Sequence, residues 1–145
     1  MTELAKQKSD APCIDDRNRS NTVWAALSDE EVDLFNKKAV CRPYGRGESV
    51  FLEGEPCNGL YFVQEGVVGV RKTDRDGNSS LVRVANAGDT LGYRPFLAKQ
   101  PHRAEANVIE NSRICFINAT TVREILQANH ELGLQFLERT AEALG

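Results

Sequence analysis

Between Tyr44 and Val70 the chain reads YGRGESVFLEGEPCNGLYFVQEGVVGV, and its glycines leave little room for anything but short strands. Apolar runs (Val50-Phe51-Leu52, Leu60-Tyr61-Phe62-Val63, Val67-Val68) lie between Gly47, Gly54, Gly59, Gly66 and Gly69. Short β-branched and aromatic runs bounded by Gly, Pro, Asn and Asp are the pattern of strands joined by tight turns. Glycine takes positive φ without steric cost, so the chain can reverse direction every few residues.

The pattern continues on both sides. Strands are expected near 41–44, 49–52, 59–65, 67–73, 80–86, 103–109 and 112–117, and Asp74-Arg75-Asp76-Gly77-Asn78 reads as a hairpin loop. Many short strands with turns between them argue for a sandwich or barrel. Helices frame this region. Ser28 and Glu31 form the capping box S-x-x-E ahead of Val32, Leu34 and Phe35, with Trp24 and Leu27 placed to pack beneath. Asn118 or Thr120 can cap a helix running to Asn129, with Val122, Ile125 and Leu126 inward, and a second helix begins near His130. Residues 1–22 are polar and aperiodic and read as a flexible arm; 23–128 form the β-roll domain; 129–145 begin a dimerisation helix.

The glycine framework, the run Gly88-Asp89-Thr90-Leu91-Gly92 and the segment His102-Arg103-Ala104-Glu105-Ala106 resemble the cyclic-nucleotide-binding fold. Within it the likeness is to the effector domain of CRP/FNR-type bacterial transcription regulators. The resemblance implies a mainly β fold with flanking helices: a double-stranded β-helix, or jelly-roll-like barrel, with a short N-terminal helix and two C-terminal helices. Leu52, Leu60, Phe62, Val68, Val70, Val82, Val84, Val108 and Phe116 are expected inside it.

It also implies an effector pocket, built from Gly88, Asp89, Thr90, Leu91, Gly92, His102, Arg103 and Ala104. In the family a glycine lets the backbone approach the ligand and a glutamate accepts a ribose hydroxyl. A short helix and an arginine hold the cyclic phosphate. Here Asp89 stands at the glutamate position and is one methylene shorter. His102 aligns with the arginine, and Arg103 follows it; in a regular strand only one of the two would face the pocket. The form G-D-x-L-G-Y looks more like the FNR branch, whose members bind no nucleotide there. The pocket is therefore expected to bind cyclic nucleotide weakly or not at all. It is either vestigial or fitted to another small anionic effector.

The formal net charge is −3, with no basic cluster to mark a nucleic-acid surface. DNA contact is expected only through a helix-turn-helix domain beyond this chain. No apolar run is long enough for a membrane helix and no signal peptide is visible, so the expected location is the cytoplasm, without a membrane partner. The four cysteines, Cys13, Cys41, Cys57 and Cys115, include no C-x-x-C pair and read as unpaired thiols. No metal site, iron–sulfur cluster or other cofactor is expected; Cys57 and Cys115 are the candidates for redox chemistry. No G-x-S-x-G, H-E-x-x-H or phosphate-loop pattern occurs, so no catalytic residue is assigned. Finally, His130, Leu134, Leu137, Ala141 and Leu144 recur at alternating spacings of four and three, a seam that fits a homodimer. The function expected is effector sensing and dimerisation in a transcription regulator, coupling a small-molecule or redox signal to DNA. The alternative is a stand-alone ligand-binding or structural module without DNA binding.

Overall fold

The computed structural model describes residues 12–144. In chain order the elements are α1 (Asp16–Arg19), a 3₁₀ turn (Val23–Ala26), α2 (Asp29–Lys38), β1 (Val40–Tyr44), β2 (Ser49–Phe51), β3 (Gly59–Thr73) and β4 (Ser79–Asn86). β5 (Thr90–Leu91), α3 (Tyr93–Ala98), β6 (Glu105–Asn118), α4 (Ala119–Ala128) and α5 (His130–Leu144) follow. All strand pairs are antiparallel and run β1-β6-β3-β4, with β2 also on β6 and β5 also on β3.

The long strands β3 and β6 form the spine, and each was expected as two short ones. Gly66, at φ 107°, explains the difference on β3. It sits where the β3–β6 register shifts, and a Cβ there would lie 2.0 Å from Ser112 Oγ. A bulge at that point bends the pair without ending it. The caps read from sequence are present. Ser28 and Glu31 exchange both capping-box hydrogen bonds, and Asn118 Oδ1 accepts from Thr121 N–H at 2.9 Å.

Two expectations are corrected here. The flexible arm of 1–22 does not hold from residue 12 onward; residues 1–11 lie outside the described residues. Cys13 and Ile14 are buried in the core. Asn36 clamps Ile14 from both sides, its Oδ1 accepting from Ile14 N–H and its Nδ2 donating to Ile14 O, at 2.8 and 2.9 Å. Asp15 then caps α1. Two buried apolar side chains and a paired amide outweigh the polar composition around them.

The second correction concerns burial. Leu60, Phe62, Val68 and Val108 are inside as expected, and Val70 and Phe116 are half-buried. Leu52, Val82 and Val84 are exposed, because β2 ends at Phe51 and β4 pairs only with β3 as an edge strand. The helices gather at the other side of the roll around Trp24, whose ring lies 4.7 Å from Phe35, 5.8 Å from Phe136 and 6.2 Å from Phe62.

Candidate functional site

A cavity of about 420 Å³ opens between the ends of β3 and β4, the short helix α3 and the loop 101–104. This is an ordinary size for a small-molecule site. Its floor is apolar: Phe51, Val70, Leu91, Tyr93 and Ala104. Gly92 turns the chain from β5 into α3 at φ 90°, and a Cβ there would crowd Gly59 O at 3.3 Å and His102 Cε1 at 3.4 Å. Glycine is therefore what allows α3 to close over the cavity.

Four cations, Lys72, Arg83, Arg94 and Arg103, reach the cavity wall, and no carboxylate lines it. Among the described residues none of the four forms an ion pair; Arg103 donates instead to Gln100 Oε1. His102 is buried and lies flat against Phe51, ring centroids 3.8 Å apart. Its backbone is pinned to the turn at 54–55: Gly54 N–H donates to His102 O at 2.8 Å, and His102 N–H donates to Glu55 O at 2.9 Å. Burial pulls the imidazole pKa below its usual value, with Glu55 opposing, and Nδ1 has no partner among the described residues. Such a site can hold an anion with an apolar body.

The predicted pocket residues divide into two groups. Leu91, Gly92, His102, Arg103 and Ala104 line the cavity. Both His102 and Arg103 do so, contrary to the strand-pleat expectation, because residues 101–104 are irregular and β6 begins only at Glu105. Gly88, Asp89 and Thr90 face a separate small depression beside Val23, Phe136 and Arg139. Asp89 Oδ2 accepts from Asn86 N–H at 2.8 Å, closing the turn between β4 and β5. Sequence reasoning missed Lys72, Arg83 and Arg94 as pocket residues; they come from three separate elements, β3, β4 and α3, which no local pattern brings together.

Residues 41–129 match the model of the cyclic nucleotide-binding domain. The chain belongs to that family. It is 26% identical over 104 residues to electron transport regulator A of Shewanella oneidensis, covering 72% of this chain and 40% of the relative. To the CRP-like cAMP-activated global transcriptional regulator of Mycobacterium tuberculosis it is 27% identical over 122 residues, 84% of this chain and 54% of the relative. The chain thus spans about half the length of these curated relatives. In fold it is similar to the sensor domain of the transcriptional regulator DNR from Pseudomonas aeruginosa: TM-score 0.78, 21% identity, 87% of this chain and 85% of that one. The relatives are CRP/FNR-type regulators, and the mainly antiparallel architecture, with five α-helices among the described residues, is the jelly roll of cyclic nucleotide-binding domains. These relatives are regulators or sensor domains rather than enzymes.

Against that family frame, the cysteines differ from expectation. Cys41 and Cys115 face each other across β1 and β6 and form a disulfide, correcting the reading of four unpaired thiols. The spacing gave no hint, since 74 residues separate them. As redox candidates, Cys115 is fully buried in that disulfide, whereas Cys57 is half-buried and free. The Cys57 thiol contacts Gly59 O and Gly92 O at 3.5 Å, and burial raises its pKa. Neither is a poised thiolate in this state.

The helix α5, which follows the matched domain, has two faces. Leu132 and Phe136 are buried against the roll, while His130, Leu134, Leu137 and Ala141 are exposed. Leu144 closes the helix, and its side chain lies outside the described residues. No helix among the described residues is long and apolar enough to cross a membrane.

Proposed function

We propose that this chain is the effector-sensing and dimerisation part of a cytoplasmic CRP/FNR-type transcription regulator, and that its effector is a small organic anion other than a cyclic nucleotide. One contact carries the coupling. Tyr93, in the cavity wall, stacks on Phe136 of α5 with ring centroids 5.1 Å apart. A ligand that moves α3 therefore pushes directly on the helix whose outer stripe, Leu134 and Leu137, is free for a second copy. The unpaired cations supply the attraction for an anion. The carboxylate that would recognise a ribose hydroxyl is spent on the Asn86 turn, which weighs against a cyclic nucleotide. DNA contact belongs, in this reading, to a further domain of the regulator.

The test is titration calorimetry of the chain with cAMP, cGMP and a panel of mono- and dicarboxylates and phosphorylated acids, followed by sedimentation with and without the best ligand. Binding of a carboxylate or phosphorylated acid at least tenfold tighter than cAMP, with a shift in self-association, is the expected result. Micromolar cAMP binding, or no ligand effect on association, overturns it.

A further inference from the structure

Three sulfurs meet at one buried point of the fold, and none of them lines the effector cavity. Sγ of Cys13, Cys41 and Cys115 all lie within 4.8 Å of one another, and the residues are between 0% and 4% exposed. The disulfide satisfies two of them and leaves Cys13 as a free thiol. Its place is strongly determined, however. Gln64 Nε2 donates to Pro12 O and Cys13 O at 3.0 and 3.2 Å, Asn18 Nδ2 donates to Cys13 O at 3.0 Å, and Asn36 clamps the next residue. Side chains from α1, α2 and β3 thus aim one cysteine at the pair on β1 and β6. These bonds, all to main-chain atoms, fix the backbone that carries the Cys13 side chain.

Charge points the same way. Burial holds the Cys13 thiol well above its ordinary pKa, and Arg113, two residues before Cys115 on the same face of β6, is the positive charge that opposes this. Its Nη2 is buried and has no partner among the described residues. Asp15 acts on Cys13 in the opposite sense, but its carboxylate accepts from the Arg17 and Asn18 N–H groups as the cap of α1.

We propose that the reduced chain binds one divalent thiophilic cation of the zinc class through Cys13, Cys41 and Cys115. Formation is a balanced two-step exchange. A small thiol or dithiol reduces the Cys41–Cys115 disulfide with two electrons and is itself oxidised to a disulfide. The three thiols then lose three protons as the cation binds. Three thiolates and a 2+ ion leave one negative charge, which the Arg113 guanidinium offsets. Sulfurs at about 2.3 Å from such an ion are roughly 3.8–4 Å apart, inside the present envelope once the two disulfide sulfurs separate. The site would tether the N-terminal segment to the barrel in the reduced state; a small-molecule disulfide, taking up two electrons and leaving as two thiols, would re-form the Cys41–Cys115 bond and release the ion.

The experiment uses the whole chain, reduced with a dithiol, desalted without oxygen and titrated with Co(II), then Zn(II). One equivalent of Co(II) should give a thiolate-to-cobalt charge-transfer band that Zn(II) abolishes, and the oxidised chain should give none. Cys13→Ser should weaken binding by more than the roughly 10–100-fold cost of losing an outer-shell partner, whereas Cys57→Ser should leave it unchanged. A second measurement needs no variant: in moderate urea, Zn(II) should protect three of the four thiols from alkylation, with Cys57 modified. Absence of the band, its survival in Cys13→Ser with unchanged circular dichroism, or equal alkylation of all four thiols with and without Zn(II) overturns the proposal.

Discussion

The two ends of the roll are packed on opposite principles. At the helical end, Trp24, Phe35, Phe62 and Phe136 are each 2% exposed or less and interlock as aromatic pairs. At the cavity end Ala85 and Ala106 are buried and Ala104 lines the 420 Å³ void with its basic rim. One buried polar atom there, His102 Nδ1, has no partner among the described residues. One sheet therefore supports a region that holds the fold and a region that gives up stability to remain open. Tyr93 and Phe136 join them.

The largest effect expected from this contrast is on stability. Removing a buried aromatic from a close-packed site forfeits its transfer energy and leaves a cavity, so Trp24→Ala and Phe62→Ala should each cost about 3–5 kcal/mol. Val82→Ala and Val84→Ala, on the exposed edge strand, should stay within about 0.5 kcal/mol. Urea denaturation of the four variants checks this. Equal losses at both ends would mean that the cavity end is as much a part of the stabilising core as the aromatic end.

That contrast was only half legible in the sequence. Strand positions, the Ser28 and Asn118 caps and the interruption at Asn129 depend on neighbours in the chain, so glycine spacing and capping patterns expose them. Asn129 shows the limit: its Nδ2 also donates to Ala26 O, 103 residues away, which no local pattern reveals. Val82 and Val84 alternate as core residues should, yet they are exposed because, among the described residues, no strand lies beyond β4. The rim cations Lys72, Arg83 and Arg94 converge only when β3, β4 and α3 are brought together. The Cys13–Ile14 segment reads as an arm because its partners, Gln64 on Cys13 and Asn36 on Ile14, come from distant segments.

The next effect falls on ligand affinity and should leave stability alone. A charge-assisted hydrogen bond contributes about 1.5–3 kcal/mol, so Arg83→Gln and Arg103→Gln should each weaken binding of the favoured anion roughly 10–150-fold. Their urea midpoints should stay near that of the parent chain, since neither guanidinium forms an ion pair. Calorimetry on both variants decides it. Unchanged affinity in both would show that the basic rim does not contact the ligand.

A smaller effect is expected from pH, with a definite sign. Burial lowers the His102 pKa in the folded state below its unfolded value of about 6.5. Above that value both states are neutral at this position and its contribution to stability is complete. As pH falls from about 6.5 through the folded pKa, the unfolded chain takes up the proton first and that stability is lost. His102→Gln should flatten this part of the profile. An anion bound beside the imidazole favours its charged form, so affinity should rise over the same pH range in which stability declines. If both rise together, His102 is not the titrating group.

The smallest expected effect on the isolated fold is at α5, and it separates the helix's two faces most cleanly. Phe136 is 1% exposed and belongs to the aromatic cluster, whereas Leu134 and Leu137 are 52% and 58% exposed and touch neither end of the roll's core. Replacing both leucines with lysine should change folding stability by no more than about 0.5 kcal/mol each. The same substitutions should abolish self-association, because burying two uncompensated ammonium groups in an apolar seam costs several kcal/mol. Sedimentation velocity at high micromolar concentration, paired with urea denaturation, reads both quantities. A stability loss of the size expected for Trp24→Ala would mean that the leucines pack on their own domain. Self-association that survives the two lysines would move the dimer contact elsewhere, with the exposed Val82–Val84 edge of β4 as the next surface to change.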